Sequence, residues 1–179
     1  TINCYNRTDN IGACGTCESC KSFDEGHSLN VYELDAASNN RGRIIRNLID
    51  QVRIAPQLGS HKVYIIDEVH MLSTAAFNAF LKTLEEPPKH AIFILATTEK
   101  HKIIPTILSR CQIFDFNRIK VSDIAEHLSQ IAVKEGIDAE NEGLHLIAQK
   151  ADGALRDALS MFDRLVDRSE QKIDFESVI

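Results

Sequence analysis

No stretch of this 179-residue chain approaches the roughly 20 consecutive apolar residues of a membrane-spanning helix. Its first residues also lack the basic and apolar regions of a secretory leader. No membrane association is expected, and a cytoplasmic location is. An excess of basic charge is missing too: 20 Lys and Arg face 26 Asp and Glu, for a net charge of −6. Residues 1–118 are balanced, so the whole deficit lies in residues 119–179. Grip on nucleic acid by overall charge is excluded, because that affinity comes from neutralised phosphates. Any DNA contact must be local or shared among subunits. Five cysteines are too few for a disulfide scaffold. There is no internal repeat or low-complexity tract, and the eight glycines nowhere form G-x-x-x-x-G-K-[ST], the loop that cradles nucleotide phosphates.

Against these absences stands Val63-Tyr64-Ile65-Ile66-Asp67-Glu68-Val69-His70, a β-branched apolar run that stops at two adjacent carboxylates. The run predicts a buried parallel strand delivering acids to its C-terminal edge. Desolvated acids have no structural use at a strand tip, whereas a magnesium nucleotide site needs them there. In that reading Asp67 holds the metal, directly or through water, and Glu68 polarises the attacking water. The plain alternative is a strand followed by a polar loop.

Four of the five cysteines, Cys4, Cys14, Cys17 and Cys20, crowd into the first 20 residues, with Gly12 and Gly15 among them for tight turning. The cluster suits a tetrahedral, four-thiolate structural zinc site in a reducing compartment. Its three-plus-one spacing departs from the usual two C-x-x-C pairs, and iron–sulfur ligation or free thiols remain alternatives. Asn30 to Asp35 alternates as a strand. A helix of about Arg41 to Ile54 follows, closed by Pro56 and Gly59, with Ile45, Leu48 and Val52 on one face and Arg43, Arg46 and Arg53 on another. Those arginines read first as a solvated face. After the central strand, Ser73 caps a helix that Glu85-Glu86-Pro87-Pro88 ends. His90 to Thr98 is a second apolar strand with polar residues at its tip, making a βαβ unit. Ligands bind at the carboxyl ends of such strands, so Asp67, Glu68 and Thr98 should share a crevice. A short helix over Lys102 to Cys111 and a strand at Gln112 to Phe116 come next. From Val121 the periodicity predicts three helices, at about 121–135, 140–151 and 154–168, forming a small acidic helical domain with its boundary near Arg118.

Taken in order, the four-cysteine insert, Asp35-Ala36-Ala37-Ser38, Asp67-Glu68-Val69-His70-Met71-Leu72, Leu81-Lys82-Thr83-Leu84-Glu85-Glu86-Pro87-Pro88, Leu95-Ala96-Thr97-Thr98, Ser109-Arg110-Cys111 and Leu155-Arg156-Asp157-Ala158-Leu159 carry a family likeness. Across nearly its whole length the chain resembles the gamma/tau subunits of the bacterial DNA polymerase III clamp loader, which are AAA+ ATPases. The resemblance implies a P-loop NTPase-type parallel sheet with flanking helices in residues 1–118, truncated at its N-terminus and carrying the zinc module at about 4–20. Residues 119–179 would be a three-helix lid domain. Asp67 and Glu68 look like the Walker B acids, and Thr98 like the sensor of the γ-phosphate or attacking water. Arg156 looks like a second sensor reaching from the lid, and Arg110 like an arginine finger acting on ATP in the neighbouring subunit. In this family the helix bearing Arg46 faces a chamber that tracks duplex DNA, which makes Arg43 and Arg46 candidate phosphate contacts. Cys111 is then structural and not a fifth metal ligand.

The implied cofactors are structural zinc and magnesium-ATP. The implied partners are further gamma/tau copies, delta, delta prime, the sliding clamp and primer-template DNA. The expected activity is ATP-driven clamp loading within a holoenzyme whose overall reaction is nucleotidyl transfer. Family members carry their phosphate loop just upstream of the position of Thr1, so these 179 residues are expected to be a piece of a longer protein and inactive as an ATPase alone. Two other readings compete. Asp-Glu-Val-His fits the D-E-x-H helicase pattern, although no paired-arginine segment follows it. A non-catalytic, zinc-stabilised scaffold module is the other, and the acidic balance and lack of interleaved aromatics near the cysteines argue against its binding nucleic acid.

Overall fold

The computed structural model describes residues 1–7, 12–38, 42–168 and 172–178. The chain separates into two compact units, Thr1–Ile113 and Phe114–Ile179.

The first unit is built on three parallel strands, β1 (Val31–Asp35), β2 (Lys62–Asp67) and β3 (Ala91–Leu95), in the spatial order β1-β2-β3. Two crossover helices make the parallel order attainable, α2 (Gly42–Val52) between β1 and β2 and α3 (Thr74–Glu85) between β2 and β3. The register pairs Asp35 with Asp67 and Ile66 with Leu95, so the three strands finish nearly level. The helices seal one face. Ile45, Leu48 and Val52 from α2 and Ala76, Phe77 and Phe80 from α3 are buried there with Tyr64 and Ile66. Tyr64 stacks between Tyr32 and Phe93, at ring-centroid distances of 5.0 and 5.4 Å, and Phe80 meets Phe93 edge-on at 5.1 Å, both favoured aromatic arrangements. Ser73 caps α3 as expected, its hydroxyl accepting from the Ala76 amide at 3.3 Å.

Ahead of the sheet lies a helix that the cysteine spacing did not reveal, α1 (Glu18–Asp24), whose N-cap is Cys17. The first residues dock onto the loop that enters β2. Asn3 accepts from the Ser60 and His61 amides and donates to the His61 carbonyl, and the Gly59 amide donates to the Tyr5 hydroxyl. After β3 come a 3-10 turn at Lys100–Lys102 and the short helix α4 (Pro105–Leu108).

The second unit holds the three expected helices, α5 (Val121–Glu135), α6 (Asn141–Lys150) and α7 (Leu155–Arg168). Their core gathers Ile124, Leu128, Leu144, Ile147, Ala158 and Phe162. A two-residue parallel ladder, β4 (Asp138–Ala139) with β5 (Lys172–Ile173), and a short helix, α8 (Phe175–Val178), complete it and were not foreseen. Gly153 sits at φ +82°, where L side chains strain, and a Cβ there would lie 2.5 Å from the Arg118 Cβ. Among the described residues no helix is long and apolar enough to cross a membrane.

Two sequence expectations are corrected. Gln112 to Phe116 is irregular, because no strand among the described residues pairs with it and a strand without a ladder leaves its backbone unsatisfied; Phe116 is 94% exposed. The strand expected over His90 to Thr98 ends at Leu95, which puts Thr98 in the following loop, and β3 is only half-buried because it lies at the sheet edge.

Candidate nucleotide and metal sites

Where β2 ends, three backbone bonds lash its tip to both neighbours. The Ala36 amide donates to the Asp67 carbonyl at 2.9 Å, Ala96 to Ile66 at 2.9 Å, and Val69 to Ala96 at 3.0 Å. The chain then bends at Glu68, which adopts φ 46°, ψ 44°, and enters a 3-10 turn at Val69–Met71. A left-handed non-glycine residue costs roughly 1–3 kcal/mol and persists only where its surroundings impose it. Here the imposition turns the Glu68 side chain toward the loop after β3, and Thr98 Oγ1 donates to Glu68 Oε2 at 3.1 Å. Asp67 is exposed at the tip, with Oδ1 accepting from the Glu68 amide at 2.9 Å. Thr98 therefore meets Glu68 beside Asp67 at the carboxyl ends of β2 and β3.

Next to them the sequence reading missed a residue. His70, whose side chain is 7% exposed, sets Nδ1 at 2.9 Å from Thr97 Oγ1 and 3.2 Å from Glu68 Oε2. Its Nε2 lies 3.1 Å from Glu99 Oε2. Lys102 grips the same Glu99 oxygen at 2.6 Å and is the chief cause of a Glu99 carboxyl held below its ordinary range. Neighbouring β1 contributes Asp35, which accepts from the Ala37 amide at 2.8 Å and the Ser38 hydroxyl at 2.5 Å; Ser38 and then Ala37 hold its carboxyl low.

Arg110, just past α4, is held away from these tips. Its guanidinium donates to Glu85 Oε1 at 3.1 Å and to the Thr106 carbonyl at 2.7 Å. Glu85 is a second residue that sequence patterns left unmarked, having read as part of a helix end. Arg156 lies on α7 in the second unit. The side chains of Arg43 and Arg46, on α2, lie outside the described ones.

The four cysteines converge as expected, with the sulfurs of Cys4, Cys14, Cys17 and Cys20 all within 4.8 Å of one another. Zinc–sulfur bonds of about 2.3 Å in a tetrahedron require sulfurs about 3.8 Å apart, and Cys14 Sγ lies 3.9 Å from Cys20 Sγ. Backbone amides of Cys14 and Cys17 point at Cys4 Sγ and Cys14 Sγ, at 3.4 and 3.3 Å, a donor pattern that favours thiolates. Thr16, by its hydroxyl and then its backbone, brings the Cys14 thiol down to about 5. Cys20 is pushed up to about 12 by the adjacent Cys17 and by burial. None of the five cysteines is in a disulfide, and Cys111 stands outside the cluster.

Comparison with known proteins agrees with this geometry. Residues 1–120 match the family of the DNA polymerase III delta subunit, and residues 123–170 match the ATPase lid domain of DNA polymerase III clamp loader subunits. The chain is 51% identical over 166 residues to the DNA polymerase III subunit tau of Bacillus subtilis (strain 168), a match covering 93% of this chain and 30% of that protein. Against the tau subunit of Escherichia coli (strain K12) the identity is 44% over 165 residues, covering 92% and 26%. The chain thus spans less than a third of the length of either relative. Among solved structures, the Holliday junction branch migration motor RuvB of Thermotoga maritima superposes with a TM-score of 0.67 at 16% identity, covering 89% of this chain and 53% of that one, a likeness of AAA+ fold alone. With family matches spanning both units, the chain belongs to the gamma/tau family of DNA polymerase III clamp-loader subunits.

Proposed function

We propose that this chain forms part of an ATP-driven motor that loads a sliding clamp onto primer-template DNA for a replicative polymerase. The observation that carries the reading is the Thr98–Glu68 hydrogen bond between the loop after β3 and the bend after β2, an acid and a hydroxyl held 3.1 Å apart beside Asp67. Glu68 orients and polarises the water that attacks the γ-phosphate, and Thr98 fixes the acid until phosphate arrives to compete for its hydroxyl. Asp67 would hold magnesium, which would offset charge on the phosphate oxygens. Arg110 serves ATP in a neighbouring subunit, with Glu85 as its resting partner, and Arg156 serves as the lid's contact to nucleotide. On this reading residues 1–118 belong to the nucleotide-binding domain and 119–179 to the lid.

The cysteine cluster is assigned to structural zinc: four thiols with no open position suit a closed site and not a catalytic one. Further copies of the subunit, delta, delta prime and the clamp are the protein partners that the family membership supports. Arg43 and Arg46 are assigned to DNA phosphates. The polymerase holoenzyme's nucleotidyl transfer is assigned to other chains. Glu68→Gln in the full-length subunit, assembled with its partners, should lower DNA-stimulated ATP hydrolysis by about a hundredfold or more while ATP binding persists. Undiminished hydrolysis would overturn the assignment.

A further inference from the structure

We propose that His70 is a positioning residue for Glu68: its imidazole, anchored on its far side by Glu99, holds one Glu68 oxygen so that the other faces the attacking water. The proposal rests on the role of Glu68 given above. Among the described residues, Glu68 is contacted through a single carboxylate oxygen. Oε2 takes the Thr98 hydroxyl at 3.1 Å and lies 3.2 Å from His70 Nδ1. The Thr98 hydrogen bond and the imidazole edge lying 3.2 Å from the same oxygen set the carboxylate plane, leaving Oε1 as the acceptor for water. A single hydroxyl would leave the group free to swing about its terminal torsion, which is broad and roughly two-fold.

The imidazole is itself immobilised. It is 7% exposed against 33% for Glu68, it touches Thr97 Oγ1 at 2.9 Å, and its Nε2 meets Glu99 at 3.1 Å. Glu99 is fixed in turn by Lys102 at 2.6 Å, and the Glu99 amide donates to Thr97 Oγ1 at 3.0 Å. A histidine that merely filled space could satisfy its nitrogens on any nearby carbonyl. All the partners of this one are side chains of Glu68 and of the loop that carries Thr98. The ring therefore joins the acid and the sensor loop into one unit, in the way that orienting groups hold a catalytic base.

The test uses the full-length subunit in its assembled complex, measuring kcat and KM for ATP under DNA stimulation. His70→Ala should lower kcat by about tenfold to a hundredfold, the scale of an ångström-sized misplacement, with KM within about threefold of the parent. His70→Asn keeps a polar group near the Nδ1 position and should recover most of the rate. His70→Gln places its N–H on the Nε2 side and should recover less. In the double variant with Glu68→Gln, His70→Ala should add nothing further. An unchanged kcat in His70→Ala, a raised KM with kcat preserved, or equal losses in His70→Ala and His70→Asn would each overturn the proposal. Should His70→Ala fail to fold, the order of His70→Asn and His70→Gln decides alone. Full hydrolysis by Glu68→Gln would instead remove the reading beneath it, whereas an inactive Glu68→Gln beside a fully active His70→Ala would overturn the role of His70 only.

Discussion

Arg110 and Cys14 show at the residue scale how a side chain's resting partners set what it can do. The Arg110 guanidinium is shared between Glu85 and the Thr106 carbonyl, a planar fork that an ammonium cannot reproduce. Arg110→Lys and Arg110→Ala should therefore both leave ATP binding intact. With every copy substituted, hydrolysis by the assembled complex should fall by about a thousandfold. Mixing in unsubstituted neighbours should restore turnover in proportion, which a steady-state phosphate-release assay would read. Cys14 supplies a pH prediction. Its folded value of about 5 lies below the ordinary 9.0, so the stability gained by holding it as thiolate is complete above 9.0 and is lost as the pH falls through about 5. Protons and metal compete for the same sulfurs. Metal content, followed by elemental analysis after dialysis, should hold near neutrality and drop in that acidic range. Binding at neutral pH should release protons, because Cys20 starts as a thiol. At this scale the sequence was legible where side chains cluster locally. Asp67 and Glu68 are adjacent, and three of the cysteines lie within seven residues. It was silent on His70 with Glu99 and on Glu85 with Arg110, because those partners lie 29 and 25 positions apart and meet only once strands and loops are in register.

Elements were legible where periodicity and punctuation agreed. β2 is a compact β-branched run, α3 has a serine cap, and α5, α6 and α7 repeat their apolar residues at helical spacing. The reading failed at Gln112 to Phe116, since alternation says which face a strand would bury but not whether a neighbour exists to bond it. It missed β4, β5 and α8 because two- and four-residue pieces carry no measurable period. Inside the sheet, Tyr64 offers a sharp test. Among the described residues its hydroxyl is buried without a hydrogen-bond partner, and burial first, then Tyr32, pushes its ionisation up to about 12. Removing an unsatisfied buried polar group relieves a desolvation cost of about 1–3 kcal/mol. Tyr64→Phe should therefore leave thermal stability unchanged or raised, while Phe80→Ala beside it should cost about 3–5 kcal/mol by opening a cavity. Urea unfolding of both variants would compare them directly.

For the whole molecule, the division into Thr1–Ile113 and Phe114–Ile179 separates two hydrophobic cores, each with its own buried set. These 179 residues contain the adjacent acids Asp67 and Glu68 and the Thr98 hydroxyl but no G-x-x-x-x-G-K-[ST] sequence, and binding energy for a triphosphate comes largely from such a phosphate-cradling loop. The isolated chain should show neither tight ATP binding by calorimetry nor turnover above background. Parallel strands impose a polarity on the first unit: every strand of the sheet opens toward Asp35, Asp67 and Thr98, while Asn3 and Tyr5 fasten the cysteine module to residues 59–61 at the opposite rim. The cysteine module and the candidate nucleotide residues thus lie at opposite rims of the sheet. A fluorophore or tether attached near the module should report on its docking and on any metal loss while leaving Asp67, Glu68 and Thr98 undisturbed.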